Sequence, residues 1–119
     1  MICITEKDVL EHNTVCALGL FDGVHRGHRL IIQNAVAEAG KRGAKSAVFT
    51  FQTDSVTSKG HDGRFEMLLT DREKRRHFEE FGADYLFSPV FGDYKSMPPE
   101  VFVKEVLKER LNCLCAVCG

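Results

Sequence analysis

Apolar and polar residues alternate along this chain in blocks that predict strands separated by helices. Short apolar runs bounded by glycine or polar residues predict strands at residues 14–20, 44–51, 84–87 and 113–118. Apolar positions spaced three or four apart predict helices at residues 26–41, 71–81 and from about 98 to 111. This order of elements indicates an α/β protein.

Capping residues mark where the first two helices begin and end. Thr70 and Glu73 have the spacing of a capping box, in which each side chain satisfies a backbone N–H of the first turn. Gly82 is expected to stop that helix, and Gly40 and Gly43 are expected to stop the helix before it.

The third predicted helix begins at two prolines, Pro98 and Pro99, which are well tolerated in a first turn. Its predicted apolar stripe consists of Phe102, Val103, Val106, Leu107 and Leu111.

Strands that alternate with helices of this length favour parallel pairing through right-handed crossovers, with helices on both faces of an open sheet. The chain has 119 residues, enough for one core. We therefore predict a single domain over residues 1–119, with a Rossmann-like open parallel sheet of about four strands and flanking helices. In such sheets, ligands bind at the carboxyl ends of the strands.

The strongest candidate for chemistry is the turn between the first predicted strand and helix. It comprises Gly19, Leu20, Phe21, Asp22, Gly23, Val24, His25, Arg26, Gly27 and His28. Glycines allow close backbone approach or unusual dihedral angles, and a helix N-terminus attracts anions through its N–H groups and partial positive charge. This combination predicts a site for the phosphates of a nucleoside triphosphate.

Three side chains of the turn carry candidate roles. His25 and His28 are three residues apart, so they are expected to point the same way from the first helical turn and donate hydrogen bonds to phosphate oxygens. Asp22 either orients the turn by accepting backbone N–H groups or helps to hold a metal ion that carries the phosphates. Because no nucleophile is paired with a base, direct in-line transfer is the expected mechanism.

Charge and cysteine content narrow the remaining possibilities. The net charge of −1 gives no reason to expect nucleic acid or a membrane as partner, and Lys74, Arg75 and Arg76 are interpreted as a solvated helix face. Five cysteines in a chain without an apparent signal or membrane segment suggest reduced thiols and a cytoplasmic location. The cluster at residues 113–118 is interpreted as a buried strand and not as a metal site, with Cys113 and Cys115 on the face opposite Cys118.

The turn resembles the HxGH nucleotidyltransferase superfamily through His25-Arg26-Gly27-His28, and the longer run from Gly19 to His28 resembles the adenylyltransferase module of bacterial FAD synthetases. The resemblance continues at residues 69–74, 81–86 and 98–103. It implies transfer of AMP from Mg-ATP to FMN, giving FAD and pyrophosphate.

The same resemblance assigns individual roles within the turn. It places His25 and His28 at the ATP phosphates and the transition state. Around the nucleotide it places Gly19, Leu20, Phe21, Asp22, Gly23 and Gly27. The implied partners are the small molecules ATP and FMN, with Mg²⁺ accompanying ATP.

Two segments differ from the family pattern. Where the family has Asp-Pro-His-Pro near the flavin, this chain has Phe51-Gln52-Thr53-Asp54-Ser55-Val56. The family's later segments, including a Ser-Ser-Thr…Arg motif that grips ATP and a riboflavin kinase domain, would follow Gly119. We therefore expect a truncated module that binds ATP weakly and turns over little.

Two other functions remain open from the sequence. One is a nucleotidyltransferase of the same superfamily that uses another phosphorylated acceptor, such as a sugar or polyol phosphate. The other is a non-catalytic nucleotide-binding fragment.

Overall fold

A five-stranded, wholly parallel sheet organises the molecule. The computed structural model describes residues 1–22, 26–53 and 69–118. The strands are β1 (Ile2–Ile4), β2 (Thr14–Leu18), β3 (Lys45–Phe49), β4 (Tyr85–Phe87) and β5 (Cys113–Cys118). Their spatial order is β1-β4-β3-β2-β5, so the predicted α/β open parallel sheet is confirmed.

Three helices lie between these strands in the part of the chain that the structure describes. They are α1 (Arg26–Arg42), α2 (Asp71–Glu80) and α3, which starts as a turn of α-helix at Pro99–Val101 and continues as a π-helix over Phe102–Arg110. A single 3₁₀ turn, Phe91–Asp93, lies between β4 and α3.

The prediction of about four strands missed β1. Ile2–Ile4 is only three residues long and pairs in register with Tyr85–Phe87 at the edge of the sheet. A segment this short has no periodicity of its own, and it forms a strand because β4 offers it a partner.

The helix ends follow the predicted signals with one exception. Thr70 accepts the backbone N–H of Glu73 at 3.1 Å and Glu73 reaches back to the N–H of Thr70, which confirms the capping box. Gly82 and Gly43 have positive φ angles of 91° and 63° just after their helices. Gly40, in contrast, lies inside α1 and does not end it.

Helices cover both faces of the sheet, as predicted. On one face, Ile32 and Ala35 of α1 and Phe78 of α2 pack against Val15 of β2. On the other face, residues of α3 pack against the opposite side of the same central strands. The two central strands, β2 and β3, are therefore buried on both sides.

The wider winding of α3 changes its predicted apolar stripe. Its hydrogen bonds run from residue i to i+5, as in the bond from the Leu111 N–H to the Val106 carbonyl. Val106, Leu107 and Leu111 are buried, whereas Val103 is 48 % exposed. Val103 was therefore wrongly placed on the buried face, because the prediction assumed α-helical spacing.

The cysteine-rich segment is the edge strand β5. Cys113 and Cys115 are half-buried while Cys118 is exposed, which confirms the predicted alternation. The expectation of a fully buried strand was wrong, since β5 has only one neighbour, β2. All five cysteines are free thiols.

The residue after β2 is shaped by a buried aromatic ring. Phe21 has a positive φ of 54° and is only 1 % exposed. A Cβ at Gly19 would lie 3.0 Å from the tip of that ring, inside the normal contact distance. Gly19 therefore makes room for the Phe21 ring to fold back over the end of the strand.

We predict that Gly19→Ala lowers the free energy of unfolding by about 1–3 kcal/mol, because the buried ring cannot move away without disturbing the core. Gly40→Ala is the matched control: a Cβ there meets nothing within 4 Å, and alanine in a helix should add about 0.5–1 kcal/mol. Urea denaturation measures both changes. Equal stability of Gly19→Ala and the unsubstituted chain would contradict this steric account.

Candidate active site

The candidate site lies where β2 and β3 end side by side. Leu18 pairs with Phe49 in the last rung of the ladder, and the N–H of Gly19 then donates to the Phe49 carbonyl at 3.2 Å. The turn that follows β2 thus starts at the carboxyl edge of the sheet, next to the end of β3. This is the position in which open α/β sheets bind ligands.

The buried Phe21 ring attaches the turn to the core. It makes edge-to-face contacts with Phe78 of α2 and with the imidazole of His28, both with ring centroids 5.6 Å apart. The ring is therefore part of the core and not a surface on which a ligand stacks. Its contact with His28 fixes the imidazole relative to the end of β2.

The first turn of α1 carries Gly27 and His28. Gly27 is helical, and the described glycines with positive φ are Gly43 and Gly82, so an unusual dihedral angle at Gly27 is excluded. No acidic residue lies in this first turn, so the helix itself carries no carboxylate that would offset the positive end of its dipole. This electrostatic setting favours an anion.

Two predicted site residues, Gly23 and His25, lie outside the described residues. The expectation that His25 and His28 point the same way therefore stays a prediction. The structure does bring Gly19, Leu20, Phe21, Asp22, Gly27 and His28 to the same edge of the sheet.

Asp22 fastens the turn to a distant part of the chain. One oxygen of its carboxylate accepts the backbone N–H of Leu69, just before α2, at 2.9 Å. This contact is of the kind expected for a residue that orients the turn, and the alternative role of Asp22 in holding a metal ion stays a prediction.

Lys74 was missed by the sequence analysis. It is 1 % exposed, and its ammonium group donates to the Thr50 hydroxyl at 3.4 Å and to the Phe51 carbonyl at 3.2 Å. The Thr50 hydroxyl in turn donates to the Leu20 carbonyl at 2.9 Å. Burial lowers the pKa of Lys74, while the carboxylates of Asp71 and Asp22 act in the opposite direction.

The interpretation of residues 74–76 as a solvated face was therefore wrong for Lys74, although Arg75 and Arg76 are exposed. A signal was present in the sequence. The capping box fixes where α2 begins, and Lys74 then lies four residues before the buried Phe78 on the same side of the helix.

Asp71 and Thr53 extend this polar network. The Asp71 carboxylate accepts the Thr53 N–H at 2.7 Å, and the Thr53 hydroxyl donates to the Leu69 carbonyl at 3.3 Å. The chain that leaves β3 is thereby joined to the start of α2. Most of the predicted loop at residues 52–63 lies outside the described residues.

An apolar pocket of about 420 Å³ opens beside the turn. Its lining residues are Leu18, Gly19, Leu20, Phe49, Phe51, Tyr94, Met97, Pro99 and Phe102. Gly19 and Leu20 belong to both the turn and the pocket, so the two features adjoin. The volume lies within the range of small-molecule sites.

Aromatic side chains form much of the pocket wall. Phe49 meets Phe51 and Phe102 edge to face, with ring centroids 5.2 and 5.1 Å apart, and Phe51 lies 5.9 Å from Tyr94. Phe51, which follows the end of β3, is half-buried and lines the pocket. Tyr94 and Met97 were missed, because an irregular segment gives no periodic pattern.

Two properties of the described residues bear on other functions. Among residues 1–22, 26–53 and 69–118, no three His, Cys, Asp or Glu side chains are grouped so as to hold a metal ion. No helix in the same ranges is long and apolar enough to cross a membrane.

Comparison with known proteins bears on the family to which the chain belongs. The family model for FAD synthetase matches residues 7–119. The bifunctional riboflavin kinase/FMN adenylyltransferase of Listeria monocytogenes is 32 % identical over 106 residues, which cover 87 % of this chain and 34 % of that protein. The protein of the same description from Bacillus subtilis is 34 % identical over 108 residues, covering 89 % and 34 %.

Among solved structures, one described as a macrolide-efflux protein from Streptococcus pneumoniae superposes with a TM-score of 0.83 at 26 % identity. That alignment covers 100 % of this chain and 41 % of the other. The chain spans about a third of the length of the curated relatives it matches. With a family model that extends over nearly all of its residues, the chain belongs to the FAD synthetase family.

Proposed function

We propose that this chain is an FMN adenylyltransferase module that transfers AMP from Mg-ATP to FMN. The observation that carries the proposal is the adjacency of two different subsites at the ends of β2 and β3. One is an anion-favouring helix end with His28, and the other is an aromatic pocket, with Gly19 and Leu20 common to both. A substrate pair with phosphates and a flat aromatic ring suits this combination.

The chemistry at the phosphate subsite is a direct displacement. A phosphate oxygen of FMN forms a bond to the α-phosphorus of ATP, and the bond from that phosphorus to the bridging oxygen breaks, so pyrophosphate leaves with the electron pair. His28 donates a hydrogen bond to the oxygens on which charge increases, and the positive end of α1 stabilises the same charge. His25 takes a matching role in this proposal.

The protein contributes mainly by positioning and electrostatics, as is general for phosphoryl chemistry. Mg²⁺ enters as part of the Mg-ATP substrate, since Mg²⁺ is typically held by substrate phosphates together with one or two carboxylates. Asp22 orients the turn from its backbone contact with Leu69.

The pocket favours a flavin over the alternative acceptors. Nearly all its lining side chains are apolar, and the aromatic rings suit the isoalloxazine system. A sugar or polyol phosphate would bring several hydroxyl groups into this surface without partners, which is costly. The segment from Phe51 to Val56 differs from the family pattern, yet Phe51 itself supplies an aromatic wall.

We predict that FMN fluorescence is quenched in a saturable way by the folded chain and that Phe51→Ala weakens the affinity about tenfold, because a ring contact is lost. Leu30→Ala is the control, since Leu30 is an exposed apolar residue on α1 that does not line the pocket. Riboflavin should compete with FMN and a polyol phosphate should not. Displacement of FMN by the polyol phosphate alone would favour the other acceptor class.

Catalysis is tested by following FAD and pyrophosphate after mixing the chain with FMN and Mg-ATP. We predict slow turnover that His28→Ala lowers about 10²–10³-fold, the usual loss of one donor to a transition-state charge. His77→Ala is the control, because His77 lies on α2 next to Phe81, away from the turn. An equal rate in the His28→Ala variant would rule out the proposed mechanism. If the chain binds both substrates but forms no FAD, it is a nucleotide-binding module without catalytic activity.

A further inference from the structure

Lys74 is a buried cation whose hydrogen-bond partners, Thr50 and Phe51, lie at the carboxyl edge of the sheet. It occupies a helix position where an apolar residue would satisfy packing, and it is 1 % exposed. Burying an ammonium group is costly unless it is hydrogen-bonded and near opposite charge. The partners that offset this cost therefore indicate what the residue does.

The first partners belong to the end of β3. The ladder of β3 finishes at Phe49, and the following backbone is held by bonds from the Thr50 N–H to the Phe87 carbonyl and from the Gln52 N–H to the Pro89 carbonyl. The Phe51 carbonyl lies between these and accepts from the Lys74 ammonium. Lys74 thus adds a side-chain attachment, between these two backbone bonds, to the segment that carries the Phe51 ring.

The second partner belongs to the turn after β2. The Thr50 hydroxyl accepts from Lys74 and donates to the Leu20 carbonyl. One ammonium group therefore connects both sides of the apolar pocket, Phe51 directly and Leu20 through a single hydroxyl. Asp22 and Asp71 supply the negative charge around it.

We propose that Lys74 is a positioning residue for the apolar pocket, where the acceptor binds. Its ammonium group holds Phe51 and Leu20 at the spacing that the flavin ring requires. This inference rests on the proposed function for the identity of the ligand, but its structural part does not. Lys74 does not line the pocket, so it acts through Thr50 and Phe51 and does not touch the substrate.

Lys74→Met tests the role because methionine retains the volume of the lysine stem and removes the ammonium group. Methionine relieves the cost of burying a charge, so the urea midpoint should stay close to that of the unsubstituted chain. The Phe51 carbonyl loses its partner, so the segment after β3 should open more often. A purely structural residue would instead lower stability throughout.

Two readouts separate these cases. In Lys74→Met, hydrogen exchange should become about tenfold faster at the amides of Gln52 and Thr53, because one hydrogen bond to a charged group is lost. Exchange at Val48, within β3, should remain unchanged. The dissociation constant for FMN should rise about tenfold in parallel. Thr50→Val, which removes the hydroxyl and keeps the shape, should change both quantities in the same direction, and Arg75→Met on the exposed side of α2 should change neither.

The outcomes are distinguishable from failure of the proposed function. The parent chain could fail to bind FMN while Lys74→Met still exchanges faster at the amides of Gln52 and Thr53. Lys74 would then be the positioning residue of a pocket for another ligand. Unchanged exchange at both amides in Lys74→Met and in Thr50→Val would overturn the inference, whatever the affinity for FMN. A general loss of protection that includes Val48 in Thr50→Val would also overturn it.

Discussion

The burial of the Phe21 ring is the constraint on which the site depends. A phenylalanine with a φ of 54° is held in a conformation that L-residues rarely adopt, and only packing can offset that cost. The Phe21 ring packs against Phe78 of α2, and the absence of a side chain at Gly19 leaves the space that the ring occupies. Because the same ring contacts His28, the core sets the position of the imidazole.

A polar network gives the site its second attachment. Asp22 binds the backbone before α2, and Lys74 binds the end of β3 and, through Thr50, the turn itself. These contacts join three segments that are distant in sequence but meet at one edge of the sheet. An apolar core could stabilise the same layers, but it would not fix the direction in which each backbone leaves its strand. The buried charge is therefore better explained by position than by stability.

The sequence predicted those features that local rules determine. The capping box at Thr70, the end of β2 and the start of α1 appeared where expected, because a side-chain cap and the glycines that flank a strand-to-helix turn are encoded by adjacent residues. The parallel order followed from the alternation of elements. The pairing of Ile2–Ile4 with β4 could not be predicted in this way, because a three-residue strand is stabilised by its neighbour.

The misses within the site have a common physical cause. Lys74 was assigned to solvent because charged residues on helices are usually exposed, and only its alignment with Phe78 indicates otherwise. Tyr94 and Met97 reach the pocket from an irregular segment, and Val103 turns outward because α3 is wound as a π-helix. For Tyr94, Met97 and Val103, the outcome depends on tertiary contacts and helix winding that spacing along the chain does not express.

The most direct test of the account is a pair of NMR titrations on the folded chain, one with FMN and one with Mg-ATP. FMN is predicted to shift the methyl signal of Met97 in the pocket, and Mg-ATP is predicted to shift the imidazole signals of His28. The methyl group of Met1, which precedes the start of β1 at the opposite, amino edge of the parallel sheet, should respond to neither. If both ligands leave Met97 and His28 unchanged, or if FMN shifts Met1 instead, the carboxyl edge of β2 and β3 is not the adenylyl-transfer site.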